Sequence, residues 1–468
     1  MHLHWHRRDL RVPDNRALAA AVASAPVTPV FVLDPTVLRH GSPPRIGFLL
    51  DCLRSLRADY REVGSELLLT RGEPAEVLPA LATDLDADRI VWNRDHSGLA
   101  RERDATVRRA LAEADIDHES FHDALLFEPG SITTNEGTHY RVFSYFWRKW
   151  RERAKRDPVE VDTTALVDPE SDAHGAGERP TLHDLGVEEP DVTLPDAGTA
   201  AARKRLDAFV DGPIYRYADR RDVPADEGTS RLSPDLKWGT IGIREVYRAT
   251  EGAMAAADGT DEEDSVEAFR SQLAWREFYA HVLAANPEVV TENFVNFAQP
   301  IEWRHDPDGL RAWKDGETGY PLVDAGMRQL RRDAWMHNRV RMVVASFLTK
   351  DLLIDWRAGY DWFRRRLIDH DTANDTGGWQ WAASTGTDAQ PYFRVFNPTT
   401  QCERFDPDGE YVREYVPELR DAPTDVIHDW PSLSDEERRE HAPNYPEPIV
   451  DHAERREEAI ETFERARG

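Results

Sequence analysis

Cysteine is almost absent from this chain: Cys52 and Cys402 are the only two in 468 residues. Two thiols so far apart supply neither a disulfide framework nor a cysteine metal site, and no metal is expected. Lysine is nearly as scarce, with residues at 149, 155, 204, 237, 314 and 350 only. No apolar run reaches the roughly eighteen residues of a membrane span, and the opening stretch MHLHWHRRDL lacks the apolar core of a signal peptide. A soluble, cytoplasmic protein without a membrane partner is the expectation, its fold resting on packing and on a bound cofactor.

What is abundant is acid. The chain has 87 Asp and Glu against 59 Lys and Arg, a formal charge of −28. An acidic, lysine-poor surface keeps a protein hydrated in concentrated salt, and we read adaptation to a salty cytoplasm. Such a charge opposes general affinity for nucleic acid, which depends on Lys and Arg displacing counterions, so a nucleic-acid partner requires a local arginine patch.

The chain is too long for one core, and two or three domains are expected. In the first 130 residues, short apolar runs (HLHWH, PVFVLD, ELLLT, RIVWN, IDHESF) alternate with helix-like stretches. In one of these, Ile46, Leu49, Leu53, Leu56 and Tyr60 recur at helical spacing. Five strands with helical crossovers predict a doubly wound parallel sheet, with ligands at the carboxyl ends of its strands. The first turn, HRRDLRVPDN, has no glycine, which removes a dinucleotide fingerprint. Residues 131–200 read as a connector, rich in Pro, Gly, Asp and Glu from 153 onward, and 201–468 as a larger all-helical domain with long amphipathic stretches at 264–285 and 324–354. No internal repeat is evident.

Several segments of the helical half carry chemistry. EGTSRLS (227–233) combines Gly228 with Thr229, Ser230, Arg231 and Ser233; a pyrophosphate cradle and an ordinary helix N-cap both remain open. Gln272, Trp275, Arg276 and Tyr279 stand at i, i+3, i+4 and i+7, placing an amide, an indole, a guanidinium and a phenol on one helix face, as a site wall requires. A helix in DAWMHNRVRMVVASFL repeats this with Asn338, Arg341, Met342 and Ala345, and turns Arg339 away toward a possible phosphate. In LIDHDTANDTGGWQWAASTG (367–386), read as a loop, Asp369 and Asp371 suit sugar hydroxyls or Arg341, Gly377 and Gly378 admit a flat group, and Trp379 and Trp381 supply indoles.

With RRDLRVPDN, EGTSRLS, WREFY, TGYPLVDAGMRQL, WMHNRVRM, FLTKDLLIDW, GGWQWAASTGTDAQPYFRVFNP and FDPDGEYVREYVPEL in place, the chain resembles the DNA photolyase/cryptochrome family over essentially its whole length. Within that family it is most similar to class I enzymes repairing cyclobutane pyrimidine dimers. The resemblance implies FAD in the helical domain, held by Tyr217, Thr229, Ser230, Arg231, Leu232 and Ser233, with Arg276, Asn338, Arg341, Asp369, His370, Asp371 and Asp375 around its rings. It makes Trp303, Trp356 and Trp379 an electron relay and sets Trp275 and Trp381 against a flipped dimer. It directs Gln272, Asn338, Arg339 and Met342 to the dimer's bases, and Arg221, Arg339, Arg394 and Gln401 to the DNA strand. The implied reaction is electron transfer from photoexcited reduced FAD to the dimer, by a monomer acting on damaged DNA. SPPRIGFLLDCLRSL and VWNRD resemble the members whose antenna is 8-hydroxy-5-deazaflavin, with Arg45, Asp34 and Asp95 as its binding residues; methenyltetrahydrofolate or no antenna are the alternatives.

Two positions depart from the bacterial repair pattern. Gln272 replaces a glutamate that bonds the dimer, and an amide cannot supply a proton. Asp375 replaces an asparagine beside the flavin's central ring, where plant cryptochromes carry aspartate. Burial there is expected to keep its carboxyl protonated and to favour a neutral flavin radical. A blue-light receptor with little repair activity is therefore the second reading, opposed by Trp381, Met342 and Asn338. The sequence HN at His337 and Asn338 disfavours (6-4) repair.

Overall fold

The computed structural model describes residues 1–168 and 180–468; the remainder of the expected connector, 169–179, lies outside the described residues. Five strands, β1 (His2–His6), β2 (Val27–Leu33), β3 (Leu68–Arg71), β4 (Arg89–Asn93) and β5 (Asp117–Phe121), form one parallel sheet in the order β3-β2-β1-β4-β5. Every residue of β1 and β2 is buried, as near-continuous apolar runs covered on both faces require. Pro29 is tolerated inside β2 because pairing with β3 begins only at Val30. The short polar β5 closes the opposite edge and discourages pairing with another chain.

The helices α1 (Arg16–Val22), α2 (Pro35–His40), α3 (Pro43–Glu62), α4 (Pro74–Asp84), α5 (Gly98–Glu113) and α6 (Phe143–Glu152) follow in the same part of the chain. Ile46, Leu49, Leu53, Leu56 and Tyr60 form the buried stripe of α3, as their spacing predicted. At the end of β1, His6 Nε2 lies 2.7 Å from the Tyr60 hydroxyl, and His4, Asp9 and Asn15 complete a buried hydrogen-bonded cluster. Burial pulls the His4 imidazole down to about 4, so it is neutral.

Two compact units interleave along the chain: residues 1–190, 194–215 and 230–287 make the first, and 191–193, 216–229 and 288–468 the second. The 26-residue helix Thr260–Ala285 thus belongs with the sheet unit. Glu277, within WREFY, anchors it there. It accepts from the Phe127 amide at 3.2 Å and Trp150 Nε1 at 2.9 Å, and from the Leu126 amide. Burial pushes its carboxyl up to about 7 from 4.5. The folded state therefore holds a proton that the unfolded chain releases, and this group's contribution to stability falls as pH rises from about 4.5 to about 7. Glu277→Gln sets an amide donor against these donors; the expected cost is about 1–3 kcal/mol. The variant also shows a smaller pH dependence of the urea midpoint across that window. A midpoint and slope like the native protein's would refute both.

Two helix assignments are corrected. The stretch 324–354 is not continuous: helix Pro321–Asp333 ends at Ala334, which is left-handed (φ 50°), and a new helix, Asn338–Ser346, starts after His337. The Ala334 carbonyl accepts from Ile368 N–H at 3.0 Å. Met336, inside the break, is fully buried, so apolar periodicity runs straight across it. A π-helical turn, Phe347–Asp351, follows. The segment read as a loop at 367–386 contains a helix, Thr372–Ala383, capped by the Asp371 carboxylate and ended by left-handed Ser384. Two glycines inside it cost about 1 kcal/mol each in propensity, which the burial of Trp379, Ala382 and Ala383 outweighs. Among the described residues no helix is long and apolar enough to cross a membrane.

Candidate functional site

In the first unit, Gln272, Trp275, Arg276 and Tyr279 share one half-buried face, as a wall rather than a core face would. Trp275 stacks on Phe143 with centroids 3.8 Å apart and planes at 11°, and Tyr279 lies 5.4 Å from it. Phe143 thereby fixes the indole's orientation, a role that no sequence spacing announced. The Arg276 guanidinium donates to the carbonyls of Ala124 (3.0 Å) and Leu236 (3.1 Å), tying the segment after β5 to the short helix Ser233–Trp238. Gln272 donates to Ser271 Oγ at 3.1 Å.

The N-cap reading of EGTSRLS is not what forms. The cap residue is Leu232, which has no capping side chain, and Arg231 is held in the left-handed region (φ 49°). Leu232 is buried, Thr229 and Ser230 are half-buried, and Arg231 and Ser233 are exposed.

The antenna candidates also lie in the first unit. Asp34 and Asp95 follow the carboxyl ends of β2 and β4, and each is already engaged. Asp34 caps α2 and receives Arg103 Nη1 at 3.3 Å. Asp95 pairs with Arg8 at 3.2 Å, and although burial opposes it, Arg8, Arg7 and Lys237 hold its carboxyl well below the usual range. Buried Arg45 donates to the His40 carbonyl at 2.7 Å.

In the second unit, helices Asn338–Ser346 and Thr372–Ala383 supply most of the predicted residues. Arg341 donates to Asp369 Oδ2 at 2.8 Å and to the Met336 carbonyl at 2.8 Å. Asp369 Oδ1 is buried with no hydrogen-bond partner among the described residues. A fixed carboxylate with one open oxygen is an acceptor waiting for a hydroxyl. Asp371 is taken as the cap, accepting from the Asn374 amide at 3.2 Å and side chain at 2.9 Å. Asp375 is half-buried, and its Oδ2 shares a hydrogen bond with His370 Nδ1. Arg339 pairs with Asp222 at 2.8 Å and lies 4.3 Å over Phe405. Asn338 is exposed and reaches Met342 Sδ at 3.7 Å. Tyr217 is buried under Arg221, Arg394 is exposed and Gln401 half-buried.

The helical form of 372–383 decides what its tryptophans do. Residues two apart on a helix point roughly 200° apart. Trp379 is 2% exposed, edge-on to Phe363 (4.9 Å) and Trp313 (6.0 Å), whereas Trp381 is half-buried beside Phe396. Trp356 is fully buried and its Nε1–H donates to Asn293 Oδ1 at 2.9 Å; Trp303 is half-buried against Phe463. Gly359, one turn after Trp356, makes room for Trp379: a Cβ there would lie 2.0 Å from Trp379 Cη2 and 2.6 Å from a Leu348 methyl. Gly359→Ala is therefore expected to cost about 1–3 kcal/mol by overpacking and to shift Trp379. A wild-type melting temperature and unchanged tryptophan fluorescence would disprove it.

Residues 2–165 match the DNA photolyase family model and residues 269–465 the FAD binding domain of DNA photolyase. A deoxyribodipyrimidine photo-lyase of Halobacterium salinarum is 61% identical, with all of both chains covered. A class III photolyase from Agrobacterium tumefaciens superposes with a TM-score of 0.90 at 36% identity, covering 99% of this chain and 97% of that one. An archaeal photolyase from Sulfolobus tokodaii, solved with two FAD molecules, has a TM-score of 0.83 at 32% identity, covering 99% of both.

Proposed function

This chain belongs to the DNA photolyase/cryptochrome family, and on that premise we propose that it is a deoxyribodipyrimidine photo-lyase, repairing cyclobutane pyrimidine dimers in DNA with light. The observation that carries the reading is the helix Thr372–Ala383, which seals one indole in the core and leaves its neighbour half-open. The full-length relative from a halophile bears the same activity in its name. The photoreceptor alternative, which rests on Asp375, is not favoured by these relatives. The expectation of class I rests on motif resemblance alone, since the class III neighbour has the same fold.

The residues fit FAD: the open Oδ1 of buried Asp369, pinned by Arg341, is the acceptor a hydroxyl-bearing cofactor needs. Arg341, Asp369, His370, Asp371, Asp375, Asn338, Tyr217 and Thr229, all in the second unit, are the residues assigned to hold it. The family resemblance gives Ser230, Arg231, Leu232, Ser233 and Arg276 the same assignment. FAD, when bound and reduced, supplies the electron that light transfers to the dimer, and the protein's task is to position and tune. Trp303, Trp356 and Trp379 are the oxidisable groups through which the site is recharged. Trp275, backed by Phe143, and Trp381 offer π-faces to extruded pyrimidines, and a damaged base pair is cheap to extrude. Gln272, Asn338 and Met342 suit hydrogen-bond and van der Waals contact with the bases. Arg221, Arg339, Arg394 and Gln401 would meet the strand; Arg339 first has to exchange Asp222 for a phosphate. Asp34, Asp95 and Arg45 are assigned to an antenna, with 8-hydroxy-5-deazaflavin the first choice and a second flavin, as in the Sulfolobus protein, an added alternative.

Illumination of the reduced protein with a thymine-dimer oligonucleotide should restore base absorbance; no light-dependent recovery would overturn the repair reading. Asp375→Asn removes the group that can exchange a proton at Oδ2 beside His370. The expected result is an altered visible spectrum after illumination, and an unchanged one would dismiss Asp375 from proton handling.

A further inference from the structure

We propose that the first unit carries a second anion site, a cavity of about 480 Å³ at the carboxyl ends of β4 and β5 that binds a small phosphate-bearing molecule. Its walls hold five arginines, 16, 94, 153, 156 and 244, in a chain whose net charge is −28. Two of the five are neutralised. Arg94 bonds Glu128, the one carboxylate of the lining, at 2.6 Å, and buried Arg244 is clasped by Asp14 and Asp123, each at 2.6 Å. The other three have no carboxylate in ion-pair contact among the described residues. Arg16, at the start of α1, donates to the His122 carbonyl at 2.8 Å, and Arg153 donates to the Ser131 carbonyl at 2.7 Å. Arg156 is exposed. Burial and the repulsion of Arg156 and Arg244 lower the Arg16 pKa, so an anion placed among them would be welcomed.

The remaining surface narrows the ligand. Leu125, Leu126, Phe121 and Phe127 give an apolar floor, Arg153 lies 4.9 Å over the Phe127 ring, and Ser120 and Ser131 add hydroxyls. Charge, hydroxyls and an apolar floor suit a phosphate group joined to a flat organic body; the volume falls in the range of small-molecule sites, about 300–1,000 Å³. Three guanidinium forks match the oxygens of a phosphate better than a single carboxylate. In molar salt the Debye length is about 3 Å, so such a site must work by direct contact, as arginines on a cavity wall allow. The position obeys the rule that doubly wound sheets bind ligands beyond the carboxyl ends of their strands.

The test is calorimetric titration of the FAD-loaded full chain with ADP, pyrophosphate and adenosine in the salt that keeps it folded. One equivalent of ADP should bind, and the double variant Arg153→Gln/Arg156→Gln should weaken it about tenfold or more. Both side chains are exposed, so the variant folds, and Arg109→Gln, on the exposed face of α5, should change nothing. ADP binding tighter than pyrophosphate identifies a phosphate ester as the source; equal binding identifies free phosphate. No ADP binding, adenosine binding as tightly as ADP, or an unaffected double variant would overturn the proposal. Displacement of ADP by undamaged duplex DNA would overturn the small-molecule assignment.

Discussion

Trp379→Phe is expected to leave the protein folded and FAD-bound, yet unable to become reduced by light. The indole sits in a cage of Phe363, Trp313 and Gly359 that a phenyl ring can enter, leaving a void that costs about 1–2 kcal/mol. What the substitution removes is the oxidisable ring. Its Nε1 is buried without an acceptor among the described residues, whereas Trp356 has Asn293. The Asn293 oxygen stabilises positive charge on Trp356 relative to Trp379, which favours passing the charge from Trp379 to Trp356. Under anaerobic illumination with an external donor, flavin bleaching should fall to the dark rate, while protein reduced chemically should still repair dimers. Bleaching at the native rate would remove Trp379 from the relay.

Arg341→Ala carries the larger stability effect. Asp369 is 6% exposed, one of its oxygens is already open, and Arg341 is the partner of the other. Deleting one member of such a pair strands a buried charge and typically costs about 3–5 kcal/mol. The same change disorganises the proposed cofactor acceptor, so the variant should purify largely free of FAD as well as melt early. Asp369→Asn separates the two effects, since it keeps an acceptor oxygen without the charge: milder destabilisation with weakened FAD retention is expected. Stoichiometric FAD and native stability in Arg341→Ala would contradict both roles.

The helix faces were legible wherever a single run of regular structure carried them, as with Gln272, Trp275, Arg276 and Tyr279. The break at Ala334 was not, because Trp335 and Met336 continue the apolar pattern while the backbone changes hand. The helix at 372–383 was hidden for the opposite reason: Gly377, Gly378 and a cluster of aspartates signal a turn locally, and burial of Trp379 overrides them. Phe143, Asn293 and Gly359 left no trace. Each acts on a residue far away in sequence or through space a side chain would fill, and spacing reports only on neighbours.

By itself the sequence determined the alternation of strands and helices, the acidic, arginine-rich composition and the motif residues, because period, composition and residue chemistry are local properties. Tertiary structure alone decided that, among the described residues, Asp369 keeps one oxygen without a partner and three arginines without an ion-paired carboxylate meet at one cavity, and that Asp375 is shared with His370 and Arg339 starts in the grip of Asp222. Those facts depend on which side chains from distant segments come within a few ångströms, and short-range forces act only once the chain has folded them together.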